Sequence, residues 1–219
     1  MTQRTLYITF VTQPVNGLAG SRMPKIVDIE QRRAEIADAA ARLIARSGLD
    51  AVTMREVAAE AGWTTGAVTH YFTDKRELLL KTFQASLAHR RSLRTDRADA
   101  TPLEQLWASL EGALPLDADR RRHWMVTVAC CSQAVADDAI AEAQRDAYRE
   151  FAGHVAELCV AAGLASDREA DELAGQLVAV ADGIAIQALF DDRKWPPARQ
   201  RTVFEDMLAL QGVPRPGDR

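Results

Sequence analysis

The sequence predicts an all-α protein. From residue 28 onward, apolar residues recur at intervals of three and four, which places them on one face of successive helices. Glycine, proline or a capping residue stands where each of these stretches would begin or end. No alternating apolar pattern, Asn-Gly hairpin or repeat of about 20 to 50 residues competes with the helical pattern.

The helix boundaries follow from these stripes and signals. The first helix has Ile36, Ala40, Leu43 and Ile44 on one face, and the later ones are Met54–Ala61, Thr65–Phe72, Asp74–Arg91, a helix from Thr101-Pro102 to Pro115, Asp119–Ala136, Asp138–Ala162, Arg168–Phe190 and Pro197–Leu210. Thr53 can cap the second helix, with Glu56 completing a capping box. The helix ending at Ala136 is expected to place Val135 on the same buried stripe as Trp124 and Val128.

Composition describes an ordinary globular chain. Of its 219 residues, 47% are hydrophobic and 26% are charged, which excludes disorder over most of the length. The net charge of −4 argues against bulk electrostatic binding of nucleic acid. Residues 24–81 are neutral overall, whereas residues 97–219 carry a net charge of −8. A polyanion would therefore meet the N-terminal part of the chain.

Residues 1–23 lack a helical or alternating period and end at Met23-Pro24-Lys25, itself a plausible translation start. We interpret them as a disordered tail or a misassigned start, with a cleaved signal as the alternative. Their apolar segment is shorter than a signal or a membrane span needs, so no membrane partner is expected. Three cysteines without metal-ligand spacing favour a reducing cytoplasm, no disulfide framework and no metal.

Residues 54–73 have the spacing of a helix-turn-helix. The inward-facing positions are Val57, Ala61, Val68 and Tyr71, and Gly62 suits a sharp turn. The second helix opens with small polar residues, Thr64 to Gly66, that would leave its backbone and hydroxyl groups open to a DNA edge. A purely structural αα-hairpin is the alternative, but it has less reason to expose Thr69 and His70 on so short a helix.

Three runs in this segment resemble the DNA-binding domain of the TetR family of transcriptional regulators. They are Thr53-Met54-Arg55-Glu56-Val57-Ala58-Ala59-Glu60-Ala61-Gly62, Gly66-Ala67-Val68-Thr69-His70-Tyr71-Phe72, and Lys75 with Glu77-Leu78-Leu79. The opening from Met23 to Asp28, the His70-Tyr71-Phe72 triplet and the later run from Ala181 to Phe190 are similar to the branch related to the choline-responsive repressor BetI.

This resemblance implies a domain division and a DNA-contacting set. Residues 24–73 would form a three-helix DNA-binding domain, and residues 74–219 a helical domain for ligand binding and dimerisation. The candidate DNA-binding residues are Thr53, Thr64, Thr65, Gly66, Thr69, His70, Tyr71 and Lys75. Trp63 and Thr69 depart from the family pattern, which leaves the operator sequence open. Core packing for Tyr71 and a solvated charge for Lys75 remain alternatives.

The C-terminal part offers an apolar cavity rather than catalytic groups. No GxSxG, HExxH, P-loop or GxGxxG motif is present, and we expect neither an enzyme nor a cofactor. His89, His123 and His154 are scattered and are each interpreted as surface or capping residues. The candidate ligand-binding residues are Trp107, Trp124, Met125, Val128, Cys131 and Phe151, with core packing as the alternative. An aromatic pocket of this kind could attract a quaternary amine.

The last two helices are the predicted dimer interface. Gly175, Ala179 and Gly183 recur every four residues and would allow close approach of a second helix. Phe204 and Met207 of the following helix complete the predicted interface, with packing inside one chain as the alternative.

These features together predict a sequence-specific, homodimeric transcriptional regulator, a repressor released from its operator by a small-molecule inducer. An all-α enzyme or ligand carrier with a structural helix-turn-helix is one alternative. An architectural DNA-binding protein without an inducer is another.

Overall fold

The structure of the chain is a computed structural model that describes residues 29–92 and 99–217. Within these ranges it consists of nine α-helices and a short 3-10 turn, Leu49–Ala51, without a strand. The helices are α1 (Ile29–Ser47), α2 (Met54–Ala61), α3 (Thr65–Tyr71), α4 (Lys75–Ser92), α5 (Pro102–Gly112), α6 (Ala118–Cys131), α7 (Asp138–Ala161), α8 (Ala170–Phe190) and α9 (Pro197–Leu210). The all-α prediction is confirmed. The predicted tail, residues 1–23, lies outside the described residues.

An N-terminal core joins α1, α2, α3 and the first half of α4. Its fully buried members include Ile36, Val68, Phe72 and Phe83. Val126 and Cys130 of α6 and Ile140 of α7 belong to the same cluster. Residue 73, the predicted domain boundary, therefore does not separate two cores, because α4 and α6 complete the packing of the N-terminal helices.

A second core lies among α5, α7, α8 and α9. Leu106 and Leu110 of α5 pack with Val155 of α7, Leu177 of α8 and Phe204 of α9, and each of these side chains is almost completely buried. Helix α6 runs between the two cores, since its Trp124 packs with Ala185 and Leu189 of α8 while its Val126 faces the N-terminal core. This arrangement connects the N-terminal helices mechanically to the rest of the bundle.

Two local predictions are wrong. Helix α6 ends at Cys131, and a turn in which Gln133 and Ala134 donate to the carbonyl of Cys130 replaces its expected last turn, leaving Val135 92% exposed. The turn allows Asp137 to cap α7 through the backbone N–H groups of Ala139 and Ile140.

The second error concerns the start of α2. Thr53 accepts from the N–H of Glu56 as predicted, but the Glu56 carboxylate pairs with Arg55 instead of returning to the cap. At α5, by contrast, Thr101 and Glu104 form a complete capping box.

Among the described residues, α8 is the one helix long and apolar enough to cross a membrane by length and composition alone. Its buried side is formed by Ala174, Leu177, Ala181 and Ala185, which face the protein. The core helices of helical bundles commonly have this composition. The high hydropathy of α8 therefore has two sources: the side that packs in the core and the apolar side that is exposed.

Candidate nucleic-acid interface and ligand cavity

The predicted helix-turn-helix is present, and local chemistry sets its geometry. Gly62 adopts a φ of 72° at the C-terminus of α2, a left-handed conformation that glycine tolerates at low cost. Trp63 then donates its backbone N–H to Ala58, closing the turn. Thr64 caps α3 by accepting from the N–H of Ala67 at 3.2 Å. The glycine at the C-terminus of α2 and the threonine cap at the start of α3 together hold α3 across α2.

Helix α3 presents its small polar residues to solvent. Thr65, Gly66, Thr69 and His70 are exposed, whereas Val68 on the opposite side is fully buried. No heavy atom lies within 4 Å of a Cβ built on Gly66, so the surface above the start of the helix is open. The four predicted residues therefore share one accessible face. Thr53 is also exposed, at the start of α2.

Tyr71 lies at the edge of this surface and is partly buried. Its ring meets the rings of Trp63 and His70 edge-on, at centroid distances of 5.7 and 5.2 Å. The guanidinium group of Arg32 lies 5.4 Å from the centroid of Trp63. Trp63, which departs from the family pattern, is thus a packing partner that helps to orient Tyr71.

Arg33 of α1, which carries no signal in the sequence, fixes the position of α3. Its Nη1 donates to the carbonyl oxygen of Tyr71 at 2.5 Å and its Nη2 to Oε1 of Glu77 at 2.6 Å. Glu77 also accepts from the backbone N–H and hydroxyl of Thr73. Arg33 and Thr73 together lower the pKa of Glu77 to about 2. This Arg33–Glu77 clamp holds the end of α3 against α1 and the start of α4.

Lys75 is the first residue of α4, the position expected for a phosphate contact. Its ammonium group, however, already donates a hydrogen bond within the protein. Its Nζ donates to the carbonyl oxygen of Leu49 at 3.2 Å, and the side chain is partly buried. A phosphate contact by Lys75 would therefore share or replace a bond that ties α4 to the 3-10 turn.

A cavity opens where α4, α5 and α7 meet. It is a half-open pocket, and its volume is about 480 Å³ when the open solvent at its mouth is counted. Its walls are formed by Leu87, Arg90, Ser109, Gly112, Ala113, Gln144, Ala147, Tyr148 and Phe151. Of the predicted ligand-binding residues, Phe151 lines this cavity.

The polar side chains that line the cavity are those of Arg90, Ser109, Gln144 and Tyr148. The guanidinium of Arg90 lies 4.3 Å from the ring centroid of Trp124, and burial lowers the pKa of Arg90. The charge of Asp182 raises the same pKa, although among the described residues no carboxylate lies within salt-bridge distance of this guanidinium. Tyr148 donates its hydroxyl to Asp182 at 2.6 Å, and the side-chain oxygen of Gln144 is buried without a partner.

The other predicted ligand-binding residues lie beside the cavity or away from it. Trp124 donates its indole N–H to Ala113 and packs with Met125 and Val128 against α8. Cys131 is exposed, and partial burial of its thiol, followed by the charge of Asp182, raises its pKa. Trp107 belongs to the second core, where it donates to the carbonyl of Pro214 and meets the ring of Phe204 edge-on at 5.9 Å.

The predicted interface residues of α8 form an exposed stripe. Gly175, Ala179 and Gly183 are all exposed, and nothing lies within 4 Å of a Cβ built on either glycine. Ile186 and Phe190 continue the same face, with Phe190 79% exposed. In α9, Met207 is partly exposed, but Phe204 is buried within the protein and cannot present its side chain to a second chain.

Two of the three histidines that the sequence analysis interpreted as scattered lie together. His89 of α4 and His123 of α6 stack with ring centroids 3.9 Å apart, and His123 is buried. The interpretation of these two residues as separate surface or capping histidines is wrong, because the packing of α4 on α6 brings them together.

Comparison with known proteins identifies both halves of the chain. Residues 36–82 match the model for bacterial regulatory proteins of the tetR family, and residues 102–212 match the C-terminal domain of BetI-type transcriptional repressors. The chain belongs to the TetR family of transcriptional regulators. It is a regulator rather than an enzyme.

Several curated transcriptional regulators of the helix-turn-helix type resemble it along most of their length. The regulator PksA of Bacillus subtilis is 31% identical over 77% of this chain and 84% of its own. BetI of Burkholderia thailandensis is 32% identical over 88% of this chain and its own full length.

Solved TetR-like structures match the fold closely. A transcriptional regulator from Rhodococcus sp. Rha1 has a TM-score of 0.75 and 26% identity, covering 84% of this chain and 99% of its own. A putative regulator from Saccharomonospora viridis, solved in complex with choline, has a TM-score of 0.74 and 26% identity, covering 82% and 96%. TetR regulators bind operator DNA and small molecules, typically as soluble dimers in the cytoplasm.

Proposed function

We propose that this protein is a homodimeric repressor whose α3 reads an operator and whose cavity between α4, α5 and α7 takes the releasing ligand. The observation that carries the proposal is the exposed face of α3, held by the Arg33–Glu77 clamp. Thr65, Thr69 and His70 offer hydroxyl and imidazole groups that suit base edges or phosphates in the major groove. A clamped, capped helix reaches the groove with little loss of conformational freedom.

A second copy of the chain is the expected partner of the α8 stripe. Gly175, Ala179 and Gly183 leave the helix backbone open, and Ile186 and Phe190 extend the stripe with large exposed apolar side chains. Such a contiguous apolar face is typical of protein interfaces. Self-association across α8 would place two copies of α3 on one DNA duplex, as a palindromic operator requires.

The cavity favours an effector with an anionic or strongly hydrogen-bond-accepting group. Arg90 brings a positive charge into the cavity that the nearby charge of Asp182 offsets without a direct salt bridge, and a ligand carboxylate would give the guanidinium a direct partner. The Saccharomonospora relative was solved with choline. In the present chain, however, the guanidinium of Arg90 already covers the face of Trp124, where a quaternary amine could gain cation–π attraction.

The effector class can be tested by thermal denaturation of the purified protein against two matched sets of small molecules. One set contains small organic acids, and the other contains choline and its quaternary amine analogues. We expect stabilisation by members of the acid set, because a ligand that binds the native state raises its unfolding free energy. Stabilisation by the amines alone would instead assign the cavity to cations.

The role of α3 is tested by operator titrations with Thr65→Ala and His70→Ala. Each substitution removes a group that can contact a base, so we expect a loss of about 1 to 3 kcal/mol in specific binding, or about 5- to 150-fold in Kd. The DNA would be the intergenic region upstream of the gene, measured by fluorescence anisotropy. Ser132→Ala, which removes an exposed hydroxyl from the turn after α6, is the matched control and should bind as wild type.

Lys75→Ala provides the contrasting result. Loss of a phosphate contact should weaken binding to specific and unrelated DNA alike and lower the salt slope by about one for each protomer. Melting curves of the variant control for the lost bond to Leu49. If Thr65→Ala, His70→Ala and Lys75→Ala all bind as wild type, the assignment of α3 is wrong.

A further inference from the structure

A cluster of metal-ligand side chains lies between α4 and α6. His89 Nε2 is 2.6 Å from Oδ2 of Asp119, and His123 Nε2 is 3.9 Å from Oδ1 of the same carboxylate. One ligand atom from each of these three residues lies within 4.8 Å of the other two. Asp119 and His123 are four residues apart on α6, and therefore share one face of that helix. His89 approaches them from the last part of α4.

The surroundings of His123 indicate a missing ligand. The residue is 6% exposed, and its Nδ1 lies 3.0 Å from Oγ of Ser86. Its Nε2 is buried and has no hydrogen-bond partner. His123 and His89 line a cavity of about 470 Å³, open mouth included, that also reaches Asp38 of α1. A buried imidazole nitrogen without a partner normally carries a free-energy cost, which a bound cation would remove.

We propose that His89, Asp119 and His123 bind a divalent transition-metal ion of the zinc class. Two imidazoles and one carboxylate form a donor set that suits zinc, cobalt or nickel and leaves positions for water. Ser86 would be the outer partner of the site, because a hydrogen bond at Nδ1 orients the ring and leaves the Nε2 lone pair for the metal. Binding would break the hydrogen bond between His89 Nε2 and Asp119, and its proton would pass to Nδ1 of His89 or to solvent.

Neighbouring charges make this a site of moderate affinity. Arg122 donates to Oδ1 of Asp119 at 2.6 Å and lies 3.8 Å from Asp38. Arg42 also pairs with Asp38. The two arginines offset the two carboxylates, so that the net charge around the site does not by itself attract a cation. Such a site would fill and empty with the metal concentration, as a sensor requires, instead of holding the fold together.

Metal binding would also change the contact between α4 and α6. The rings of His89 and His123 are stacked, with an interplanar angle of 24°. A metal ion lies close to the plane of each imidazole that binds it, so two stacked rings must splay before both can coordinate one ion. Helix α4 carries the ring of His89. The same helix begins at Lys75, beside α3, the helix proposed to read DNA. This regulatory part of the inference rests on the proposed function, whereas metal binding does not.

Binding is tested by titrating the metal-stripped, full-length protein with Co²⁺ and following its visible absorption bands. We expect one Co²⁺ for each protomer, displaced stoichiometrically by Zn²⁺. His123→Ala and Asp119→Asn should abolish the bands, and Ser86→Ala should weaken binding by about 10- to 100-fold. His154→Ala, which removes a histidine of α7 that contacts Ser109, should bind as wild type.

Two results would overturn the site. One is the absence of saturable Co²⁺ binding to the wild-type protein. The other is unchanged binding by His123→Ala and Asp119→Asn, with circular dichroism confirming that both variants fold. Because Asp119→Asn keeps the size of the side chain, it remains informative if His123→Ala unfolds.

The regulatory part is tested by operator titrations with and without Zn²⁺. We expect Zn²⁺ to weaken operator binding by the wild-type protein and to leave Asp119→Asn unaffected. Stoichiometric metal binding with unchanged operator affinity would overturn the coupling. Metal binding by a protein that binds no specific DNA would instead contradict the proposed function while supporting the site.

Discussion

Ala179→Glu should convert the protein from a dimer into a monomer and remove most of its operator affinity. Ala179 lies at the centre of the exposed α8 stripe, where a glutamate from each copy would be buried without a partner. A monomer loses the second half-site contact, which is worth about 100- to 10,000-fold in apparent affinity. Light scattering would give the mass, and anisotropy titrations the affinity.

The matched control is Ala136→Glu, which places the same charge on an exposed alanine in the turn between α6 and α7. This variant should remain dimeric. Because Ala179 is exposed within one chain, Ala179→Glu should retain the helix content of the wild type. A persistent dimer would move the interface away from α8.

Arg90→Met should abolish the response to effector while preserving operator binding. Arg90 lines the cavity, and about 22 Å of helix separates it from Lys75 at the start of α4. An effector that binds Arg90 can change operator affinity by favouring another position of α4. In the wild type, its coupling energy should be about 1 to 3 kcal/mol, a 5- to 150-fold loss of operator affinity. The effector for this experiment would be a compound that stabilises the protein in the thermal-denaturation screen of acids and amines.

Arg91→Met is the control on the same turn of α4. Arg91 is exposed and pairs with Glu150 outside the cavity, so its loss should leave the response intact. Calorimetry adds a thermodynamic check, because the operator complex must bind the effector more weakly by the same factor. Equal effector affinity of free protein and complex would contradict coupling through α4, since such a ligand shifts no population.

The local elements could be predicted from the sequence because their causes are local. Thr53 and Thr64 are capping residues, and Gly62 is the residue that a left-handed turn favours. The apolar spacing around Val57 and Val68 then fixed the faces of α2 and α3. The small-residue period of α8 likewise identified an exposed face.

Contacts between distant parts of the chain could not be predicted in this way. The Arg33–Glu77 clamp joins residues 44 positions apart, and a charged residue on a polar helix face gives no signal of its partner. The stacking of His89 on His123 and the placement of Arg90 over Trp124 depend on the packing of α4 against α6.

Aromatic residues were equally ambiguous between core and cavity. Trp107 and Phe151 both have helical spacing and both pack in the second core, yet Phe151 also lines the cavity whereas Trp107 does not. Phe204 has the periodicity of an interface residue, but α9 turns it into the same core. The sequence spacing of an aromatic residue is the same whether its side chain faces the core, the cavity or a second chain.

Footprinting of the protein on its own upstream DNA tests the central claim most directly. A dimer that reads DNA with two copies of α3 should protect a pseudo-palindrome. Its half-sites should lie about one helical turn apart, roughly 34 to 36 Å, or slightly more. The protection should weaken steeply as salt rises and disappear with Ala179→Glu. Protection of a single asymmetric site by a monomer, or equal binding to every sequence, would contradict the account.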